Sequence, residues 1–179
     1  MHSDRQIFNL ALIGFMGTGK TSVGRLVAEM LNFEFVDTDE QIQAKTGRTI
    51  SDIFATDGEA AFRALEHEMV LELSQRRKAV ISTGGGLPTN PENMAQLKRH
   101  ALVICLWSSA EKIWDRVRHQ THRPLLHDAN PQQKIQELLA VREPYYKQAD
   151  VLVNTDIRGA REVAQQVVLQ YKLATRPER

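Results

Sequence analysis

The chain has 179 residues, of which 42% are hydrophobic and 25% are charged, with a formal net charge of +1. This composition is typical of one compact globular domain. Because its 23 basic and 22 acidic residues form no basic tail or stripe, the sequence disfavours binding to nucleic acid or to a membrane surface. The single cysteine, Cys105, excludes a disulfide within the chain. With neither a signal peptide nor an apolar run of membrane-spanning length, we expect a cytoplasmic protein.

The first motif along the chain is a phosphate-binding loop at residues 14–21, with the sequence GFMGTGKT. An apolar run of strand length precedes it, and a segment with helical spacing of its apolar residues follows it. Its glycines allow a tight turn that points N–H groups at phosphate oxygens, and the helix directs its positive end at the same anion. Lys20 can reach the outer phosphates, and Thr21 offers an oxygen to Mg²⁺. A tight connection without a ligand is the less favoured alternative.

A second short strand is predicted at residues 33–36, followed by Asp37 and Asp39. Thr38 or Asp39 is expected to cap a helix. In an extended chain the two aspartates would point to one side, where open α/β sheets bind ligands. Carboxylates there can hold Mg²⁺ or accept a proton from an attacking hydroxyl. The alternative is an N-cap plus a solvated aspartate, which the neighbouring phosphate loop makes less favoured.

Two further helices are expected, one around Ile50 that ends near Gly58 and a long one over residues 59–76. The next strand, at residues 79–83, runs straight into Gly84, Gly85 and Gly86. Three glycines allow a substrate to press against the backbone and leave their N–H groups free to donate. A flexible turn is the alternative.

The remaining chain continues the alternation of strands and helices. Helices are predicted at residues 91–99, from Ser108 or Ser109, at residues 131–146 and at residues 161–173, with strands at residues 101–106 and 151–153. The polar segment at residues 119–130 is expected to be a mobile lid. The pattern predicts a single domain over residues 1–179, with a three-layer α/β/α fold and a five-stranded parallel sheet.

Four arginines are candidate functional residues. Arg63, with Glu66 three residues on, and Arg142 could each clamp a carboxylate with a bidentate fork, although for either arginine judged alone a surface salt bridge is the favoured interpretation. Arg123 lies in the predicted lid, where a cation could close onto transferring phosphate. Arg116 could stack on a base or face water, and its spacing does not decide between them.

Taken in order over about residues 7–173, these motifs resemble those of the shikimate kinases. The resemblance implies a P-loop kinase fold with a lid at about residues 119–130 and a substrate-binding helical region at about residues 38–66. It implies ATP-dependent phosphorylation of the 3-hydroxyl of shikimate, in the biosynthesis of aromatic amino acids through chorismate. The expected partners are shikimate and ATP, with Mg²⁺ as cofactor and a monomer as the working state.

The resemblance also implies a set of site residues. The catalytic residues would be Lys20, Asp39 and Arg123. The nucleotide would be bound by Gly17, Thr18, Gly19, Lys20, Thr21, Arg116, Arg123 and Arg158. Shikimate would be bound by Asp39, Arg63, Gly84, Gly85, Gly86 and Arg142, beside an apolar wall of Ile50, Phe54 and Phe62. The metal would be held by Thr21 and Asp37, the latter directly or through water.

Two other functions fit parts of the pattern. A gluconate kinase resembles this fold and also phosphorylates a sugar acid, but the arginine pair around the three glycines favours shikimate. A non-enzymatic nucleotide-binding regulator is the other alternative. A GTPase switch would need an Asn-Lys-x-Asp guanine motif, which the sequence lacks.

Overall fold

The computed structural model describes residues 5–119 and 130–176. The described strands are β1 (Asn9–Ile13), β2 (Glu34–Asp37), β3 (Ala79–Ser82), β4 (Ala101–Trp107) and β5 (Val151–Asn154). The described helices are α1 (Lys20–Leu31), α2 (Thr38–Thr46), α3 (Ile50–Leu73), α4 (Pro91–His100), α5 (Ala110–Val117), α6 (Pro131–Tyr146) and α7 (Ala160–Ala174), with a 3₁₀ turn at Leu87–Thr89. Most of the predicted lid, residues 120–129, lies outside the described residues.

The strands form one parallel sheet in the order β2-β3-β1-β4-β5. β1 is central, with Leu10 paired to Val80 of β3 on one side and to Leu102 of β4 on the other. Because all strands run the same way, the carboxyl ends of β1, β2 and β3 meet at one edge of the sheet. The phosphate loop, the two aspartates and the three glycines follow these ends. The predicted five-stranded parallel fold is confirmed.

Helices cover both faces of the sheet, because alternate residues of each strand point to opposite sides. Leu10 and Leu12 pack in a core with α1 and α7. Ala11 and Ile13 pack in a second core with residues of α2 to α6, which also holds the buried Cys105. Within the described ranges, no helix combines the length and the apolarity that crossing a bilayer requires.

Helix α3 carries the side wall of the site and is kinked at Gly58. The two helices predicted on either side of this glycine are joined there by a residue with φ 83° and ψ 175°, which lies outside the helical region. Thr49 begins the helix with a capping box, accepting a hydrogen bond from the Asp52 amide. The kink leaves the rings of Phe54 and Phe62 in contact, with centroids 4.8 Å apart.

Candidate active site

The loop between β1 and α1 is a tight turn that depends on a glycine and on hydrogen bonds from Lys20 and Thr18. Gly14 has a φ of 139°, and a Cβ there would lie 2.3 Å from the carbonyl oxygen of Leu106, so no other residue fits. Lys20 Nζ donates to the carbonyl oxygens of Gly14 and Phe15, each at 2.9 Å. The Thr18 hydroxyl also donates to the Phe15 oxygen, at 2.8 Å. Thr18 is 2% exposed, so its side chain stabilises the loop rather than facing the cavity.

Two cavities lie at the carboxyl edge of the sheet and share part of their walls. The first, of about 350 Å³, is lined by the phosphate loop together with Lys20, Thr21 and Asp37. The second, of about 240 Å³, is lined by α3 residues and by Arg142. The residues that line both cavities are Met16, Asp39, Gly84 and Gly85. Asp39 therefore lies where the two spaces meet.

Asp37 has a structural role as well as a place in the first cavity. Its Oδ1 caps α2 by accepting hydrogen bonds from the amides of Asp39 at 3.1 Å and Glu40 at 3.4 Å. The prediction that Thr38 or Asp39 is the cap is therefore wrong. Asp39 lies in the first turn of the helix, so the alternation expected of an extended chain does not apply to it. Both carboxylates nevertheless line the first cavity, because the helix turns Asp39 back toward the loop.

The metal candidates Thr21 and Asp37 lie side by side. The Thr21 hydroxyl donates to Asp37 Oδ2 at 3.4 Å, which brings two candidate oxygen ligands together beside the phosphate loop. Within the described part of the chain, no group of three or more His, Cys, Asp or Glu residues could enclose a metal ion. This pair suits Mg²⁺, which keeps several waters and binds through one or two protein oxygens and substrate phosphates.

Arg63 in the second cavity is fixed by two carboxylates of its own helix. Its Nη1 donates to Glu66 Oε2 at 2.6 Å, and its Nη2 donates to Glu59 Oε1 at 2.9 Å. The expected support from Glu66 is confirmed, and the pair is no surface salt bridge because the Glu66 side chain is 1% exposed. Burial raises the pKa of Glu66, which Arg63 opposes. In the described part of the chain, Glu66 Oε1 accepts no hydrogen bond.

The three glycines after β3 make room for charged side chains. A Cβ at Gly84 would lie 2.8 Å from Asp39 Oδ1, and one at Gly86 would lie 2.5 Å from Arg63 Nη1. The groups that press against this backbone are thus the protein's own candidate site residues, a contact that the sequence did not indicate. The expectation that all three N–H groups are free is wrong for Gly84, whose amide donates to the Thr38 hydroxyl at 3.0 Å.

Helix α6 places Arg142 beside this backbone. The Arg142 guanidinium carbon lies 5.5 Å from the centroid of the Phe15 ring, and a Cβ at Gly85 would lie 3.4 Å from Arg142 Nη1. One turn later, the Tyr146 hydroxyl donates to the Gly85 carbonyl oxygen at 2.7 Å. Burial raises the pKa of Tyr146 to about 12, with Arg142 acting in the opposite direction. Sequence reasoning missed Tyr146, whose only signal is its position four residues after Arg142.

The apolar wall of the second cavity contains the expected side chains. Ile50, Phe54 and Phe62 line it together with Met16 of the phosphate loop. Met16 was not predicted as a wall residue, although its place inside the loop motif brings it next to any acceptor. Apolar walls of this kind exclude water from the face of a bound ring.

The candidate nucleotide-binding arginines lie in different surroundings. Arg116 donates to the Gly17 carbonyl oxygen at 3.2 Å and to the Thr155 carbonyl oxygen at 2.5 Å, which ties α5 to the phosphate loop and to the segment after β5. It also lines the first cavity. Arg158 is exposed, donates to the Asn154 carbonyl oxygen at 3.4 Å and lines neither cavity. Arg123 lies outside the described residues.

Comparison with known proteins gives consistent results. The sequence model of the shikimate kinase family matches residues 16–172. A shikimate kinase of Thermodesulfovibrio yellowstonii is 46% identical over 164 residues, covering 92% of this chain and 95% of the relative. The structure of a shikimate kinase from Acinetobacter baumannii in complex with shikimate has a TM-score of 0.88 and 40% identity, covering 96% of each chain. A gluconokinase from Sinorhizobium meliloti has a TM-score of 0.61 and 18% identity, covering 95% of each chain, which shows a common fold only.

Proposed function

The chain belongs to the shikimate kinase family, and we propose that it transfers the γ-phosphoryl group of ATP to the 3-hydroxyl of shikimate. The products are ADP and shikimate 3-phosphate, in the route to chorismate and the aromatic amino acids. One observation carries this proposal at the level of residues. A cavity built on the phosphate loop meets a cavity built on two arginines, and Asp39 lies at their junction.

The second cavity has the chemistry to hold a small polyhydroxy acid. Arg63 and Arg142 supply two cations for one carboxylate, and planar guanidinium groups suit bidentate carboxylate binding. Asp39 accepts hydrogen bonds from ring hydroxyls. The backbone of Gly84, Gly85 and Gly86 borders the ring, and the apolar wall covers one face of it.

The chemical step needs a nucleophile, a proton acceptor and charge stabilisation. The 3-hydroxyl oxygen attacks the γ-phosphorus, the bond from that phosphorus to the bridging oxygen of ADP breaks, and the hydroxyl proton passes to Asp39. Lys20 leaves its loop carbonyls to contact the outer phosphates. When bound by Thr21 and Asp37, Mg²⁺ would supply positive charge to the phosphate oxygens. Arg123 adds a second cation on the lid side of the phosphoryl group.

The remaining assignments complete the proposal. The amides of Gly17, Thr18 and Gly19 face the phosphates, while Arg116 and Arg158 flank the adenine. We propose one domain over residues 1–179, with substrate contacts from about residues 38–66 and a lid at about residues 119–130. We propose a monomer in the cytoplasm, where ATP is supplied.

A coupled assay of ADP release tests the acceptor. Purified protein with ATP and Mg²⁺ should release ADP with shikimate, and at only a background rate with gluconate or with no acceptor. ADP release that is faster with gluconate than with shikimate would identify gluconate as the substrate. ADP release that is as fast without an acceptor as with shikimate would indicate a simple ATPase. NMR of the product tests which hydroxyl is phosphorylated, because the phosphorus should couple to the ring proton at the 3-position.

Variants test the acceptor site separately. Arg63→Ala and Arg142→Ala should each raise the KM for shikimate about 10- to 150-fold, the equivalent of a lost charge-assisted contact of about 1.5–3 kcal/mol, and spare the KM for ATP. Arg48→Ala is the matched control, because Arg48 pairs with Asp57 outside both cavities. A rise in the KM for ATP instead would assign these arginines to the nucleotide.

A further inference from the structure

Two short segments meet beside the first cavity, at the carboxyl ends of β4 and β5. These strands are paired in parallel with Trp107 opposite Asn154, so the residues that follow them lie side by side. Ser108 follows the first strand, and Thr155 and Asp156 follow the second. Ser108 is 1% exposed and Thr155 is 3% exposed. Buried hydroxyl groups such as these need hydrogen-bond partners within the protein.

The single proton of each buried hydroxyl is directed away from Arg116. Ser108 Oγ donates to Asp156 Oδ1 at 2.5 Å, and Thr155 Oγ1 donates to the Trp107 carbonyl oxygen at 3.2 Å. A hydroxyl has one proton and two lone pairs, and a guanidinium can only donate. Both oxygens are therefore acceptors for Arg116, whose Nη1 lies 3.4 Å from Ser108 Oγ and 3.1 Å from Thr155 Oγ1.

Asp156 fixes the direction of the Ser108 hydroxyl. Its carboxylate also accepts from the Ser109 amide, at 3.1 Å to Oδ1 and 3.3 Å to Oδ2. Burial works against the charged form, but the hydrogen bonds from the two serines and the charge of Arg116 lower the pKa of Asp156. The carboxylate is therefore an acceptor at neutral pH. In the described part of the chain it lines neither of the two cavities, so its effect on a ligand would pass through Ser108 and Arg116.

The hydrogen bonds of Arg116 use the edge of its guanidinium group. Besides the two hydroxyls, the acceptors include the carbonyl oxygens of Gly17 in the phosphate loop and of Thr155. Hydrogen bonds of a guanidinium lie in its plane, whereas stacking on an aromatic ring uses its face. Because Arg116 is held along its edge by two separate loops and lines the first cavity, the orientation of its plane there is fixed.

We propose that Asp156 is a positioning residue for the nucleotide. Through Ser108 it sets the plane of the Arg116 guanidinium, so that the face of this group meets the adenine ring. This inference rests on the proposed function, in which Arg116 flanks the adenine. It adds a residue outside both cavities, and it predicts a defect that is confined to binding of the base.

Calorimetric titration with ADP and Mg²⁺, without an acceptor, tests this role. Asp156→Ala and Ser108→Ala should each weaken ADP binding about 3- to 10-fold, because a hydrogen-bonded link to Arg116 is lost. Asp156→Asn keeps an acceptor oxygen for Ser108 and should restore the affinity to within about twofold of the wild-type value. Tripolyphosphate, which has no base, should bind to every variant with an affinity within about twofold of the wild-type value, and the KM for shikimate should not change.

Ser109→Ala is the matched control for a purely structural effect. The Ser109 hydroxyl caps α5 by accepting from the Lys112 amide at 3.3 Å, so this variant destabilises the same helix and leaves the Ser108 hydroxyl in place. It should lower Tm and leave ADP binding within about twofold of the wild-type value. Equal weakening of ADP binding in Ser109→Ala and Ser108→Ala would overturn the proposal, because loss of the helix cap would explain both.

A double-mutant cycle separates this inference from the proposed function. In an Arg116→Ala background, Asp156→Ala should weaken ADP binding no further, and Ser108→Ala carries the same test if Asp156→Ala does not fold. An equal loss in both backgrounds, or an equal loss for tripolyphosphate, would overturn the positioning role alone. Unchanged ADP binding in Arg116→Ala itself would overturn both this inference and the placement of Arg116 beside the adenine.

Discussion

Gly86→Ala should damage the acceptor site through a single steric contact. The new Cβ would lie 2.5 Å from Nη1, 2.6 Å from Nη2 and 2.8 Å from Cζ of Arg63. Comfortable contacts between such atoms are about 3.5 Å or more, so the guanidinium must move by roughly 1 Å. The backbone itself accepts alanine, because Gly86 has a φ of −91° and a ψ of −19°. The strain therefore falls on one flexible side chain.

The size of the effect follows from the hydrogen bonds of Arg63. A displacement of about 1 Å breaks the 2.6 Å bond to Glu66 and misdirects the fork that would meet a carboxylate. A charge-assisted bond is worth about 1.5–3 kcal/mol, so we expect the KM for shikimate to rise roughly 10- to 150-fold. The KM for ATP should stay within about twofold, because Arg63 does not line the nucleotide cavity.

A double-mutant cycle isolates this mechanism. If Gly86 acts through Arg63, Gly86→Ala should change the KM for shikimate little in an Arg63→Ala background. Gly159→Ala is the matched control, since it makes the same substitution at a φ of −69°, at the start of α7 and outside both cavities. An equal loss of affinity in both backgrounds would refute the steric explanation, and an unchanged KM in the single variant would remove Gly86 from the site.

Three further predictions address other parts of the site. Lys20→Ala should lower kcat by about 10²–10³-fold or more with little change in Tm, and wild-type turnover would contradict the phosphate-loop assignment. Asp39→Asn should lower kcat by about 10²–10⁴-fold, whereas Asp37→Asn should raise the Mg²⁺ concentration needed for half-maximal rate. Mg²⁺ titrations of both variants at saturating ATP and shikimate check these predictions, and a raised Mg²⁺ requirement in Asp39→Asn alone would mean that Asp39, not Asp37, holds the metal. Tyr146→Phe should lower the free energy of unfolding, measured by urea denaturation, by about 1–3 kcal/mol and should raise the KM for shikimate, because the Gly85 carbonyl loses a buried hydrogen-bond donor. An unchanged free energy of unfolding and an unchanged KM would show that this hydrogen bond contributes to neither.

Much of this arrangement could be predicted because its signals are local. The strand β1, the loop and helix α1 form one continuous pattern, so the phosphate site follows from about twenty residues. The pairing of Arg63 with Glu66 follows from helical spacing. The parallel sheet follows from short apolar runs that alternate with helices.

Other features could not be predicted because they depend on contacts between distant segments. Tyr146 and Gly85 are 61 residues apart, and no periodicity relates them. The capping role of Asp37 was missed because helix α2 begins one or two residues earlier than expected, at Thr38. Because of that shift, Asp39 lies in a helical turn and not in an extended chain. Its side chain still lines the first cavity, but the turn of the helix directs it there, not the alternation of a strand.

Glu66 shows how these local and distant contacts depend on one another. A buried carboxylate is unfavourable unless it is paired, and here its charge is met by Arg63 while Asp39 lies close enough to oppose it. Gly84 is the residue that brings them together, since a Cβ there would lie 2.8 Å from Asp39 and 3.1 Å from Glu66. The two carboxylates thus flank one glycine, with Glu66 orienting the cation, while the proposed role of Asp39 is to face the acceptor. A larger residue at position 84 would displace both groups, so this glycine couples the binding of the acid to the direction of the proposed base.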